Sequence, residues 1–190
     1  MWDYDASVAI LHPSPPPSPL LSRPGAAIAR DADAAIGGTN VAWHYGNPLG
    51  EQRYPTMLID RSDRQVVRVT GPEAPQFLNN LLSQKLDDAP DGFSAAALDL
   101  DPQGRVLHHA DLLVHDGAFY LDAPAPQAQS LHDYLTRMVF WSDVTIELTD
   151  LAVLTLLGDP IDLPEDALSR PVHWGGNPRI DVLVPRDRLE

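Results

Sequence analysis

The alternation of apolar and polar residues predicts a strand followed by a helix at the start of the most regular part of the chain. Residues 65–69 alternate β-branched and polar side chains, as strands do. Residues 70–73, Thr-Gly-Pro-Glu, match a capping box, in which the threonine and glutamate side chains satisfy the first N–H groups of a helix. The helix is predicted to end near Lys85, and its apolar residues at i, i+3, i+4, i+7 and i+8 share one face. These residues are Ala74, Phe77, Leu78, Leu81 and Leu82.

The same kinds of pattern continue to residue 148 and predict a sheet with helices on one side. Strands are expected over residues 93–100, 105–115, 118–122 and 143–148, and a helix over residues 124–141. Residues 101–104, Asp-Pro-Gln-Gly, and residues 116–117, Asp-Gly, are turn sequences that join three of these strands. The predicted fold class is therefore α+β with an antiparallel-rich sheet, close to a ferredoxin-like unit with an added strand.

Composition divides the chain into three segments. Residues 1–40 are rich in proline and alanine, and the prolines between residues 13 and 24 disfavour helix and sheet. We expect this segment to be partly flexible, with an extended arm on the folded body as the alternative. Residues 41–150 are expected to form the first α+β unit. Residues 151–190 are expected to start a second unit that is cut short, with strands over residues 151–157, 172–174 and 180–184.

Charge and residue usage exclude several classes of protein. The net charge of −14 argues against a nucleic-acid binder that neutralises phosphates with lysine and arginine. The chain contains no cysteine, so these residues hold no disulfide, thiolate nucleophile or cysteine-bound iron–sulfur cluster. No apolar run approaches the roughly 18 residues that span a bilayer, and the N-terminus does not resemble a signal peptide. We therefore expect a cytoplasmic protein without membrane contact.

Two adjacent histidines are the most conspicuous chemical feature of the predicted sheet. His108 and His109 are neighbours on one strand, so they point to opposite faces and cannot bind one metal ion without a bulge. His109, Asp111 and His115 share a face, but the span of roughly 20 Å is too long for one ion. The sequence therefore predicts no metal site. It leaves open a polar sheet face with one histidine in a ligand pocket, or histidines that face solvent.

Two further groups of side chains are candidates for a binding site. Asp99 and Asp101 share a strand face beside a turn, where paired carboxylates either serve acid–base chemistry or lie in solvent. Residues 41–53, VAWHYGNPLGEQR, combine aromatic groups with loop-forming residues, and loops often carry function. Trp43 and Tyr45 in this segment either line a pocket for a flat heterocycle or close the edge of the core.

Residues 66–111, VVRVTGPEAPQFLNNLLSQKLDDAPDGFSAAALDLDPQGRVLHHAD, resemble the folate-binding fold of the glycine-cleavage T-proteins and the YgfZ-type proteins of iron–sulfur cluster maintenance. The shared pattern is a strand, T-G-P-x-A, a Phe-Leu helix, a strand, an x-x-G turn and a strand. Residues 41–53 are similar to a loop of the actinobacterial YgfZ branch. T-proteins carry an acidic pair after the turn, and its aspartate assists methylene transfer to tetrahydrofolate. Here His108-His109 occupy those positions and Asp111 follows, which favours the YgfZ branch. The K-G-C-x-x-G-Q-E motif of that branch is absent from these residues.

The resemblance implies a tetrahydrofolate-binding protein that supports iron–sulfur cluster assembly or repair and, through iron–sulfur enzymes, tRNA modification. Its protein partners would be iron–sulfur enzymes or assembly factors. The pterin is expected between sheet faces, and no residue is assigned a catalytic role. The expected binding residues are Trp43, Tyr45, Leu98, Asp99, His109 and Asp111. An aminomethyltransferase-like one-carbon transferase and a non-catalytic docking domain are the alternatives.

Overall fold

Two antiparallel sheets pack against each other, and the two longer helices cover the outer face of the larger sheet. The computed structural model describes residues 15–28, 40–172 and 179–189. The predicted α+β class, antiparallel-rich with helices on one side, is confirmed. Within the described residues, no helix is both long and apolar enough to cross a bilayer.

The larger sheet has five strands in the order β5-β6-β7-β4-β8. These strands are β4 Arg64–Thr70, β5 Ser94–Leu100, β6 Val106–His115, β7 Ala118–Pro124 and β8 Thr145–Leu148. Every neighbouring pair runs antiparallel. The two longer helices are α2, Ala74–Leu81, and α3, Ala125–Met138. The strand–helix–three strands–helix–strand order predicted from the sequence is the order observed.

The smaller sheet has four strands in the order β10-β11-β9-β3. They are β3 Met57–Asp60, β9 Leu151–Leu157, β10 Leu168–Pro171 and β11 Arg179–Pro185. A separate two-stranded hairpin pairs β1, Ala26–Ile28, with β2, Ala42–Tyr45. The short helix α1, Pro48–Glu51, follows β2, and 3-10 turns lie at Pro19–Ser22 and Arg186–Arg188. The smaller sheet thus joins strands from both sides of residue 150, and the predicted division into units there stays a prediction.

The turns between β5, β6 and β7 follow from their residue types. Asp116 and Gly117 have φ angles of 49° and 71°, the left-handed conformation that a tight two-residue hairpin requires. His115 pairs directly with Ala118 across this turn. Gly104 donates its N–H to the Asp101 carbonyl at 2.9 Å and closes the turn before β6. Both turns predicted from the sequence are therefore confirmed.

Apolar side chains form a core on each side of the larger sheet. The helix-facing core includes Phe77 and Leu78 of α2, Leu131 and Leu135 of α3, and strand residues such as Phe119. The opposite face packs against the smaller sheet through a second apolar contact, formed by Val66, Val153 and Leu183. Because β4 and β7 lie inside their sheet, each carries buried side chains on both faces, such as Val66 and Val67 of β4.

The start of α2 differs from the prediction. The N-cap is Glu73 rather than Thr70, and no side chain caps the helix. The Glu73 carboxylate instead accepts the N–H of Asp143 at 2.6 Å, which ties the helix start to the segment before β8. The capping-box prediction is therefore wrong, because a tertiary contact takes the glutamate. The helix also ends at Leu81, before the predicted end near Lys85.

Two further segments differ from their predictions. Residues 41–53, expected as a loop, contain β2 and α1. The second strand of the second unit, expected at residues 172–174, is β10 at Leu168–Pro171, because residues 168–171 pair with β11. Residues 173–174 lie outside the described residues, as do 1–14 and 29–39 of the proline- and alanine-rich segment.

The described part of the N-terminal segment lies on the folded body. The Ser18 N–H donates to the Asn40 carbonyl at 2.7 Å, and Arg186 donates to the Pro16 carbonyl at 3.4 Å. Leu20 packs against the face of the smaller sheet that points away from the larger one. Residues 15–28 therefore match the alternative of an arm that lies on the body.

Candidate functional site: a cleft between the two sheets

His108 and His109 point to opposite faces of β6, as predicted. His108 faces α3, where it contacts Ser130 and stacks on Tyr134 at 5.7 Å between ring centroids. His109 faces the side of the smaller sheet and is exposed. The two histidines therefore belong to different environments.

A cleft of about 350 Å³ opens between the edges of the two sheets. One wall is formed by β5 and β6, and the other by β10 and the residue after it. The lining residues are Ser94, Ala95, Ala96, His109, Asp111, Arg170, Pro171 and Val172. A cleft of this size, with an apolar lining and a few convergent polar groups, is typical of small-molecule sites.

A cluster of buried charges forms the floor of this cleft. Arg170 of β10 contacts Asp122 of β7 and, at 3.1 Å, Asp181 of β11. Arg64 of β4 contacts Asp122 and donates to Asp111 of β6 at 2.8 Å. Asp122, Arg170 and Asp181 are each at most 2% exposed, whereas the Asp111 side chain is 33% exposed. Since buried charges must be paired, this cluster fixes the two sheets in one relative position.

The electrostatics of the cluster favour the charged forms of Arg170 and Asp181. Burial lowers the pKa of Arg170, but Asp122, Asp111 and Asp181 more than offset this effect, so the pKa lies above its ordinary value. Burial raises the pKa of Asp181, but hydrogen bonds from Thr155 and Arg170 outweigh it, so the net pKa is lowered. The Thr155 hydroxyl donates to Asp181 at 2.7 Å. Arg170 and Asp181 are therefore held in their charged forms beneath the cleft.

Asp111 links the buried cluster to the open cleft. Its Oδ2 accepts from Arg64 and lies 3.9 Å from Arg170. Within the described parts of the chain, no residue donates a hydrogen bond to its other oxygen, Oδ1. Asp111 therefore offers a carboxylate oxygen that is free of the described residues, on a side chain held in place by an arginine.

Comparison with solved structures identifies the fold. The chain is similar to a glycine cleavage system aminomethyltransferase T. That structure, from Bartonella henselae, superimposes with a TM-score of 0.73 at 20% sequence identity over 88% of this chain. The match covers 52% of the other chain, so this chain spans about half its length. No family model matches the sequence, and no curated protein matches it significantly. At this identity, the likeness establishes the fold.

The structure brings together only some of the residues predicted to bind a ligand. His109 and Asp111 line the cleft, and Leu98 pairs with His109 in the β5–β6 ladder on the same face. Asp99 lies on the opposite face, 2% exposed, where its carboxylate lies 2.8 Å from Nδ1 of His108. The Asp101 carboxylate accepts hydrogen bonds within its own turn, including one from Nε of Arg105 at 2.6 Å.

Trp43 and Tyr45 lie near the other edge of the smaller sheet. They line a second cleft of about 540 Å³ beside β3, together with Tyr54. β3 and β10 are opposite edges of the four-stranded sheet. Three strand spacings separate these edges, roughly 14 Å. The two aromatic residues therefore do not share the cleft that contains His109. Burial is the main cause of the raised pKa of Tyr45, and the charge of the nearby Asp60 carboxylate raises it further.

The sequence interpretation missed the charged floor of the cleft. Arg64, Asp122, Arg170 and Asp181 all lie within strands. Asp122 and Asp181 interrupt apolar runs, FYLDAP and IDVLV, and a charged residue inside a buried strand indicates a paired charge. That signal was available, but the pairing partners come from distant parts of the chain.

No group of three or more His, Asp or Glu side chains could hold a metal ion in residues 15–28, 40–172 and 179–189.

Proposed function

We propose that this chain binds tetrahydrofolate, with the pterin ring in the cleft between the two sheets. The observation that carries the proposal is the cleft itself, where His109 and the free oxygen of Asp111 converge over a buried arginine. The likeness in fold to an aminomethyltransferase T supports a ligand of the one-carbon class.

The residues of the cleft suit the chemistry of a pterin. A pterin carries an amino group and a ring N–H on one edge, and Oδ1 of Asp111 can accept such donors. Ala96, which pairs with Asp111 in the ladder, leaves room beside it for a flat ring. His109 can donate or accept at the mouth of the cleft, depending on its tautomer. Arg170 is already paired with carboxylates, so its role is to hold Asp111 and Asp122 in place.

We further propose that folate binding serves a YgfZ-type role, in the support of iron–sulfur cluster assembly or repair in the cytoplasm. The support for this step is the resemblance of residues 41–111 and the histidines at the positions where T-proteins carry acids. Iron–sulfur enzymes or assembly proteins would be the partners, and tRNA modification would be affected through them. A strain that lacks the protein should lose activity of iron–sulfur enzymes, and a His109→Ala copy should restore it less than the wild-type copy does.

An aminomethyltransferase-like activity is the second candidate, and the fold of the similar structure favours it. The chain would then need a carboxylate beside the reacting nitrogen, and Asp111 is the only acid among the described residues that line this cleft. A turnover assay with an aminomethyl donor and tetrahydrofolate separates the two candidates. Turnover that depends on Asp111 supports the transferase, and binding without turnover supports the maintenance role.

Titration calorimetry with three ligands tests the binding proposal. Tetrahydrofolate and a tetrahydropterin without the glutamate tail should both bind, because the cleft recognises the ring. Free glutamate should not bind. If a folded sample binds neither pterin compound, the proposal is wrong, and the non-catalytic docking domain becomes the better account.

A further inference from the structure

On the face of β6 opposite the cleft, three side chains form a continuous hydrogen-bonded chain. The Asp99 carboxylate lies 2.8 Å from Nδ1 of His108, and Nε2 of His108 lies 2.9 Å from Oγ of Ser130. Carboxylate to Nδ1 and Nε2 to hydroxyl is the connectivity of a Ser–His–Asp triad. Such constellations are recognised by geometry and roles, whatever the order in the sequence.

The fold positions each member from a rigid element. Asp99 and His108 are directly paired in the β5–β6 ladder, so their side chains lie side by side on the helix-facing side of the sheet. Ser130 lies in α3, whose residues Leu131 and Leu135 are anchored in the core. Tyr134, one turn after Ser130, stacks on the His108 ring at an interplanar angle of 28°. The imidazole is therefore held by contacts on its ring face and at both nitrogens.

Asp99 and His108 are largely buried and Ser130 is exposed, as nucleophilic catalysis requires of a base and its nucleophile. The side chains of Asp99 and His108 are 3% and 12% exposed, whereas Ser130 is exposed on the helix surface. A carboxylate only accepts hydrogen bonds, so Nδ1 carries the imidazole proton and Nε2 is left to accept the serine proton. The hydroxyl is thus oriented towards a base and accessible to a reagent.

We propose that Asp99, His108 and Ser130 form a nucleophilic site at which Ser130 is acylated by activated esters. Ser130 Oγ attacks the ester carbonyl while Nε2 of His108 takes the hydroxyl proton. The bond from the carbonyl carbon to the leaving group then breaks, C–O in an aryl ester or C–S in a thioester, and His108 returns the proton to the departing phenoxide or thiolate. Water, deprotonated by the same nitrogen, attacks the acyl-serine and releases a carboxylic acid and free Ser130. No oxidant, metal or cofactor takes part.

The surroundings of Ser130 limit the substrate class. Ser130 lies inside α3, where its backbone N–H belongs to the helix ladder and is not free to stabilise an oxyanion. Substrates therefore need a good leaving group, as in aryl esters and thioesters. The site is independent of folate binding, because it lies on the other face of β6.

Covalent labelling of the full chain tests the site directly. Incubation with a fluorophosphonate probe, followed by peptide mass spectrometry, should place the label on Ser130. Ser130→Ala should abolish the label, and His108→Gln should slow labelling at least tenfold. Thr136→Ala, which removes another exposed hydroxyl of α3, is the matched control and should label like the wild type.

The same proteins should differ in hydrolysis of 4-nitrophenyl acetate. Wild type and Thr136→Ala should release 4-nitrophenol faster than the Ser130→Ala variant, with an acetylated Ser130 detectable by mass. The exposed position of Ser130 keeps its alanine variant folded, which a thermal melt verifies. Absence of label on the wild type, label on another residue, or equal labelling of His108→Gln would overturn the proposal.

Discussion

At the scale of single residues, paired buried charges hold this molecule in one arrangement. Arg170 contacts Asp122 and Asp181, on strands from both sheets, while almost fully buried. A buried pair is weak evidence for net stability compared with an apolar pair, but the loss of one partner leaves the other charge uncompensated. The main effect of Arg170 is therefore to fix the relative position of the two sheets, because any other position would leave a buried charge unpaired.

Arg170→Ala should destabilise the protein by about 3–5 kcal/mol, because Asp122 and Asp181 lose their buried partner. Arg188→Ala is the matched control: Arg188 pairs with Asp166 at 3.1 Å, but both side chains are about half exposed. Its loss should cost less than about 1 kcal/mol. Urea unfolding followed by circular dichroism measures both. Equal effects would show that burial does not distinguish the two ion pairs.

Asp181 links the stability of the fold to acid pH. Its folded-state pKa is lowered because the hydrogen bond from Thr155 and the charge of Arg170 outweigh the effect of burial. Its contribution is therefore full above the unfolded pKa of about 3.9 and is lost as the pH falls through the folded value. The free energy of unfolding should fall below about pH 4, less steeply in Asp181→Asn. Urea unfolding across this range measures both slopes, and an equally steep fall in the variant would contradict this role.

At the scale of elements, a glycine sets the connection between β4 and α2. Gly71 has a φ angle of 118°, and a Cβ atom there would lie 2.3 Å from the Asp143 carbonyl oxygen. The backbone of the segment before β8 therefore occupies the space that a side chain at position 71 would need. The nearby contact between Glu73 and the Asp143 N–H holds the same two segments together.

Gly71→Ala should destabilise the protein by at least about 2 kcal/mol, through strained backbone and the clash with Asp143. Gly92→Ala is the control, since Gly92 also has positive φ, at 79°, but no atom within 4 Å of the added carbon. Its cost should be limited to the left-handed conformation, about 1–2 kcal/mol. Thermal unfolding of both variants compares them. A Gly71 variant as stable as the Gly92 variant would show that the Asp143 segment yields easily.

Local sequence patterns predicted the helices, strands and turns well, but they did not predict the side-chain contacts between distant parts of the chain. The Asp116-Gly117 hairpin and the apolar stripe of α2 depend on residues close in sequence, so pattern and turn chemistry were sufficient. Glu73 fitted a capping box but bonds a residue 70 positions away. The Arg64–Asp122 contact spans 58 positions, and no periodicity encodes such a pairing. For the same reason the sequence indicated His109 and Asp111 but not the arginines beneath them.

At the scale of the whole molecule, the sheet order decides which residues can act together. The smaller sheet places β10 beside the His109 cleft and β3 beside Trp43 and Tyr45, at opposite edges. The two faces of β6 likewise separate His109 from His108. The sequence offered His109 with Asp111, Trp43 with Tyr45, and Asp99 as parts of one binding site. In the structure they lie in the cleft between the sheets, in the cleft beside β3 and on the helix-facing side of β6. The folate proposal concerns only the cleft between the sheets.

Calorimetric titration of tetrahydrofolate into the wild type, His109→Ala and His115→Ala tests this claim most directly. His115 lies on the same strand and face as His109, is exposed, and is not among the residues that line the cleft. We predict that the wild type and His115→Ala bind alike, and that His109→Ala binds about 3- to 10-fold more weakly, as the loss of one hydrogen bond predicts. No binding by the folded wild type, or equal binding by all three proteins, would contradict a folate site in this cleft.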